Sequence, residues 1–153
     1  MPVVTVFAAL VDDTALYRAV LNPDWYKNGK LKANVFMRRP PKDGIERDVS
    51  GLSVALAAGR DEATACINEA KTFNDCPFMC KITVGAVRAL PTQIDTPLEF
   101  DVIQDSPIHA NITGLPPVPP GDIGTPEGLA ARVEARRIGS EMARCAVVVW
   151  TRP

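Results

Sequence analysis

Large apolar residues alternate with small ones over residues 49–56, which indicates a strand with one buried face. Leu52, Val54 and Leu56 fall on one side of this strand, and Gly51 and Ser53 fall on the other. The small face would allow a ligand or another backbone to approach closely. Similar patterns predict strands at residues 33–38, 79–90, 98–103 and 109–112.

Apolar residues recur every three or four positions in two other segments, which predicts amphipathic helices. The first covers residues 61–73 and opens with two acidic residues, which suit a helix N-terminus. The second begins at Thr125-Pro126-Glu127 and runs to about residue 145. A short helix is predicted at residues 15–21, and residues 146–150 either end the last helix or form a strand. The residues expected to face inward on the last long helix are Leu129, Val133, Met142 and Cys145.

These elements alternate irregularly, which favours an α+β fold over a doubly wound parallel one. We expect a single domain over residues 1–153, with a mixed β-sheet and two or three packed helices. The proline-rich stretch 115–126 is expected to be an exposed loop before the C-terminal helix.

Composition narrows the classes of partner. The chain has 17 basic and 18 acidic residues, and its basic pairs at Arg38–Arg39 and Arg136–Arg137 are short for a phosphate-binding track. We therefore expect no nucleic-acid partner. No window reaches the length of a membrane span, and the apolar N-terminus lacks a basic leader, so we expect a cytoplasmic protein without a membrane partner.

Cysteine spacing raises the question of a metal site. Cys76 and Cys80 are the one close pair, and Cys66 with His109 would complete a Cys–Cys–His set. The usual second pair of zinc ligands is absent, and free cysteines are often simply buried. We expect reduced, buried cysteines and no metal.

Three segments resemble a group of small uncharacterised bacterial proteins. They are Leu16-Tyr17-Arg18, Gly51-Leu52-Ser53-Val54, and residues 105–116, which contain the pattern His-Ala-x-Ile-x-Gly-Leu-Pro beginning at His109. The resemblance covers most of residues 14–116 in the same order. It implies one folded domain and carries no known activity with it.

The same segments supply the candidate ligand-binding residues. If they converge, Tyr17, Arg18, Gly51, Ser53 and His109 would form a small anion pocket. A guanidinium can clamp a carboxylate or phosphate, and an imidazole can transfer protons. The alternative is structural: a surface arginine with its stem on the core, and a histidine bonded to a neighbouring loop.

Enzyme motifs are missing from the chain. It has one histidine, no phosphate-loop or dinucleotide glycine pattern, and no Gly-x-Ser-x-Gly elbow. We expect no cofactor.

We expect a non-enzymatic module that binds another protein, as an accessory or immunity-like component of a bacterial gene cluster. Trp25, Tyr26 and Trp150 would serve as interface anchors. A homodimer through the last helix or strand stays open. The alternative is a transferase or hydrolase for a small molecule of NAD or nucleotide type, with a pocket around Arg18, Ser53 and His109.

Overall fold

The computed structural model describes residues 7–90, 99–119 and 124–153. Three α-helices and eight strands make up its regular structure, together with two 3₁₀ turns at Pro23–Trp25 and Ala33–Phe36. The strands are β1 Ala15–Val20, β2 Tyr26–Lys27, β3 Lys30–Leu31, β4 Leu52–Leu56, β5 Phe78–Thr83, β6 Asp101–Ser106, β7 His109–Thr113 and β8 Val147–Thr151; the helices are α1 Glu62–Ala70, α2 Val84–Arg88 and α3 Pro126–Cys145.

Six strands form one sheet in the order β6-β7-β4-β1-β5-β8, and β2 and β3 form a separate hairpin. The predicted α+β class and single domain are confirmed. Every described strand pair is antiparallel, so the prediction of a mixed sheet is wrong. Both long amphipathic helices are confirmed within a few residues, and residues 147–151 form a strand.

The prediction of a helix at residues 15–21 is wrong, because this segment is the central strand β1. It pairs with β4 on one side and β5 on the other, and both of its faces are covered. A strand buried on both faces loses the alternation that marks a half-buried strand, so its pattern resembles a helix.

Two strand predictions also need correction. Residues 33–36 form a 3₁₀ turn instead of a strand. The strand predicted over residues 79–90 ends at Thr83, where α2 begins. The Thr83 hydroxyl accepts a hydrogen bond from the backbone N–H of Ala86 at 3.2 Å, which caps the new helix.

The sheet separates two apolar layers. Leu52, Val54 and Leu56 share one buried face, as predicted, and belong to the larger core cluster with residues of the second 3₁₀ turn, α2 and α3. The opposite face carries a smaller cluster under α1, which includes Tyr17, Ala55 and residues of α1 itself. Successive residues of each strand therefore face different layers.

The buried face of α3 differs from the prediction. Met142 is fully buried as expected, but Leu129 and Val133 are 52% and 68% exposed and Cys145 is also exposed. Small residues make up most of the buried stripe, and they let α3 approach the second 3₁₀ turn closely. An added Cβ at Gly139 would lie 2.6 Å from the carbonyl oxygen of Ala33.

This close approach predicts the effect of Gly139→Ala. In an open helix the change would stabilise the protein by about 1 kcal/mol through helix propensity. Here the new methyl group would meet the backbone of Ala33, and overpacking of this kind costs about 1–3 kcal/mol. We expect a net loss of stability in urea denaturation. Gly124→Ala is the control, since an added Cβ there meets nothing within 4 Å; equal effects at the two sites would contradict the close-packing explanation.

Candidate functional site

The five predicted ligand residues do not all converge, because Arg18 lies on the opposite face of the sheet from Tyr17, Ser53 and His109. Tyr17 lies opposite Ala55 of β4, and Ala55 lies opposite His109 of β7. These residues and Ser53 lie on the α1 side of the sheet. Arg18 follows Tyr17 in β1 and therefore points into the other layer.

Arg18 connects the sheet to the layer above it. Its Nε donates to the carbonyl oxygen of Val35 at 2.6 Å, and its Nη1 donates to the carbonyl oxygen of Ser53 at 2.8 Å. Burial lowers the pKa of the Arg18 guanidinium from its ordinary value. Both hydrogen bonds go to backbone carbonyls, so this arginine joins the second 3₁₀ turn to β4. Its Nε and Nη1 donors are therefore used within the protein.

Another backbone segment approaches Gly51 closely, as its strand pattern predicted. The approaching segment is β7 of the same protein. The φ of Gly51 is +118°, and an added Cβ would collide with the carbonyl of Ile112 in β7. Gly51 thus allows β4 and β7 to meet, which is a structural use of a small residue.

Tyr17 makes one of the polar contacts that hold α1 against the sheet. Its hydroxyl donates to Oε2 of Glu62 at 3.0 Å, and Lys81 Nζ lies 2.8 Å from the same oxygen. Burial and the Glu62 carboxylate raise the pKa of Tyr17 to about 12. The hydrogen bond from Lys81 lowers the pKa of Glu62. The phenol is therefore neutral near pH 7 and serves as a hydrogen-bond donor.

His109 makes a further polar contact with α1. Its Nε2 lies 2.9 Å from Oε2 of Glu69, whose side chain is only 9% exposed. Glu62 and Glu69 are seven residues apart, so they lie two turns apart on the same face of α1. The candidate ligand residues Tyr17 and His109 thus meet carboxylates of this helix.

This contact predicts a stability change. In His109→Ala, the nearly buried carboxylate of Glu69 loses its partner, and an unsatisfied buried group costs about 1–3 kcal/mol. We expect a smaller loss when His109→Ala is made in a Glu69→Gln background, because a neutral amide is less costly to leave in place. Urea denaturation of the four proteins in this cycle measures the coupling. Additive losses would show that the two side chains do not support each other.

The cysteines are separated as well. Cys66 and Cys76 belong to the cluster under α1, and Cys80 belongs to the opposite core cluster. Burial raises the pKa of Cys66 to about 11 and that of Cys80 to about 12, which disfavours the thiolates that bind metals. Within residues 7–90, 99–119 and 124–153, no three His, Cys, Asp or Glu side chains are grouped in a way that could hold a metal ion.

The three aromatic residues expected as interface anchors are each half-buried. Tyr26 packs edge-on against Phe78 with ring centroids 5.0 Å apart. Trp150 packs against the cluster under α1 and has the Arg152 guanidinium 6.0 Å from its ring centroid. Trp25 packs against the larger core and also lines a surface hollow.

That hollow brings the two basic pairs of the sequence into proximity. It has a volume of about 250 Å³ and lies between the turns around residues 25–40 and the flank of α3. Its apolar lining comes from Trp25, Met37, Pro40 and Val118. Its cations are Arg38, Arg39, Arg132 and Arg136. We call this hollow the arginine pocket.

The arginines of the pocket differ in how many of their donors already have partners within the protein. Arg38 donates to the carbonyl oxygen of Arg47 at 3.2 Å, and Arg39 contacts the Asp48 carboxylate at 2.9 Å. Although burial opposes ionisation of Asp48, the hydrogen bonds from Arg39 hold its pKa below the ordinary value. Arg136 is exposed and makes no hydrogen bond or ion pair with the described chain. Its five donors are thus available to an incoming anion.

Charge is distributed unevenly around the pocket. Residues 22–50 carry seven basic and four acidic residues, and residues 126–145 carry four basic and three acidic residues. The rest of the chain has six basic and eleven acidic residues. The near-zero net charge therefore conceals a basic layer, formed by these two segments, which pack against each other through the second 3₁₀ turn and α3.

Comparison of the chain with protein-family models, curated proteins and solved structures gives no match. Across the described ranges, no helix combines the length and the apolar character needed to cross a membrane.

Proposed function

We propose that the protein is a non-enzymatic binding module whose arginine pocket docks an acidic segment of a partner protein through one apolar anchor residue. The observation that carries this proposal is the convergence of Arg38, Arg39 and Arg136, from distant parts of the chain, around an apolar hollow. An apolar centre with an arginine rim matches the composition of protein interfaces.

The size of the pocket favours a side chain over a cofactor. Sites for cofactors and drug-sized ligands span about 300–1,000 Å³, whereas the arginine pocket has about 250 Å³. One large apolar side chain fits such a volume, and a dinucleotide does not. The surrounding guanidiniums would then pair with carboxylates on either side of the anchor.

Exposed apolar residues next to the pocket add to this surface. Leu129 and Val133 of α3 are 52% and 68% exposed, and they lie within one turn of Arg132 and Arg136. Large apolar side chains beside the exposed Arg136 suit a segment in which apolar and acidic residues alternate. A nucleic acid would need a longer track of cations than this single hollow offers.

The alternative enzyme has weaker support. A pocket around Arg18, Ser53 and His109 needs these side chains on one side of the sheet. Arg18 instead faces the second 3₁₀ turn, and His109 contacts Glu69 on the opposite side. The accessory or immunity-like role within a bacterial gene cluster, and a cytoplasmic location, stay predictions from the sequence.

The test uses a labelled model peptide, acetyl-Glu-Glu-Phe-Glu-Glu-amide, and measures binding by fluorescence anisotropy at low salt. We expect Arg136→Ala to weaken binding about fivefold, which corresponds to about 1 kcal/mol for an exposed charge pair. Arg137→Ala is the matched control, because the neighbouring Arg137 pairs with Glu134 at 2.8 Å and does not line the pocket. Its binding should be unchanged.

Two further ligands separate the contribution of the apolar anchor from that of the negative charge. The peptide with Gly in place of Phe keeps its charge and should bind more weakly, because it lacks the anchor. A single-stranded thymidine octamer should not compete. The proposal fails if the folded protein does not bind the Phe peptide, if Arg136→Ala and Arg137→Ala behave alike, or if the oligonucleotide binds more tightly than the peptide.

A further inference from the structure

The second large hollow of the basic layer runs along the end of the sheet. It has a volume of about 640 Å³ and lies between the β2–β3 hairpin and the C-terminal turn of α3. Ala146, Val147 and Val148 all line it. Ala146 directly precedes β8, and Val147 and Val148 are its first two residues, so the cleft lies beside the start of this strand.

β8 offers its outer edge to a further strand. It is the last strand of the sheet and pairs only with β5 among the described residues. Its sequence, Val-Val-Val-Trp-Thr, consists of β-branched and aromatic residues without a charge. The other edge strand, β6, carries Asp101 and Asp105, which oppose edge pairing.

A β-bulge limits the usable length of this edge. The register between β5 and β8 shifts at Val149, where Cys80 pairs with Val148 and Met79 pairs with Trp150. Bulges interrupt regular pairing, so a new strand could continue the ladder along the first part of β8 only. That part coincides with Val147 and Val148, which line the cleft.

We propose that the cleft beside β8 binds an extended acidic segment of a partner protein, which adds to the sheet as a seventh strand. Main-chain hydrogen bonds to β8 would supply affinity, as in other cases of strand addition. Lys30 from the hairpin lines the cleft and supplies the preference for carboxylates. Arg144 from α3 also lines it, with its Nη1 paired to Glu141 at 3.2 Å. This inference does not depend on the arginine pocket, although both hollows lie along the same flank of α3.

Charge argues against a second copy as the occupant. In an antiparallel β8–β8 pair, the end of each strand lies beside the start of the other. Arg152 would then approach the cleft of the partner copy, which already contains Lys30 and Arg144. Like charges at such a contact disfavour association.

The test uses acetyl-Glu-Val-Thr-Val-Thr-Glu-amide and follows hydrogen–deuterium exchange of a proteolytic fragment spanning residues 146–151. We expect slower exchange there when the peptide is added at millimolar concentration. The matched control peptide carries an N-methyl group on each of its six residues, which keeps the side chains and charges but removes the residue N–H donors from both edges of the strand. It should give no protection.

Protein variants test the charge contact. Lys30→Ala should weaken the strand peptide about threefold, as expected for loss of an exposed charge contact. Arg137→Ala should leave it unchanged, because Arg137 pairs with Glu134 and does not line the cleft. The inference is overturned if the peptide does not protect β8 in the folded protein or if the N-methylated peptide protects it equally. A concentration-dependent dimer that protects β8 without peptide would also overturn it, since the occupant would then be a second copy.

Discussion

The guanidinium of Arg18 is the contact on which the arrangement of the two layers depends. It lies in the central strand and bonds the carbonyl oxygens of Val35 and Ser53, so one side chain joins β1, β4 and the second 3₁₀ turn. That turn supports α3 through the close approach at Gly139. Because α3 forms one wall of both surface hollows, their shape follows from this half-buried cation and its carbonyl partners.

The two faces of the sheet have different roles. On one side, Glu62 and Glu69 hold α1 against Tyr17, Lys81 and His109, and the polar groups of this face are largely used within the protein. On the other side, the basic layer leaves Arg136 and the apolar Leu129 and Val133 accessible. Polar groups with internal partners support the fold, whereas accessible ones are available to a partner molecule.

Local pattern was sufficient to predict the α+β class, both long helices and the buried face of β4. It failed at β1, because a central strand covered on both sides has no period-two signature. It also failed on α3, where small residues at Ala135 and Gly139 take the buried positions that large residues were expected to fill. The residues of a candidate site were harder to predict than the helices and strands. Adjacent residues such as Tyr17 and Arg18 face opposite layers, and the distant pairs Arg38–Arg39 and Arg136–Arg137 meet only through tertiary packing.

The proposed role of the arginine pocket is to receive the apolar anchor of an acidic segment. The two tryptophans of the chain provide internal reporters, because Trp25 lines the pocket and Trp150 packs on the opposite side of the sheet. The most direct measurement is the ¹H–¹⁵N spectrum of the two indole N–H groups during titration with the Phe-containing acidic peptide. We expect the Trp25 resonance to move in proportion to binding while the Trp150 resonance stays in place. A stationary Trp25 resonance, or a movement confined to Trp150, would contradict the proposed role of the pocket.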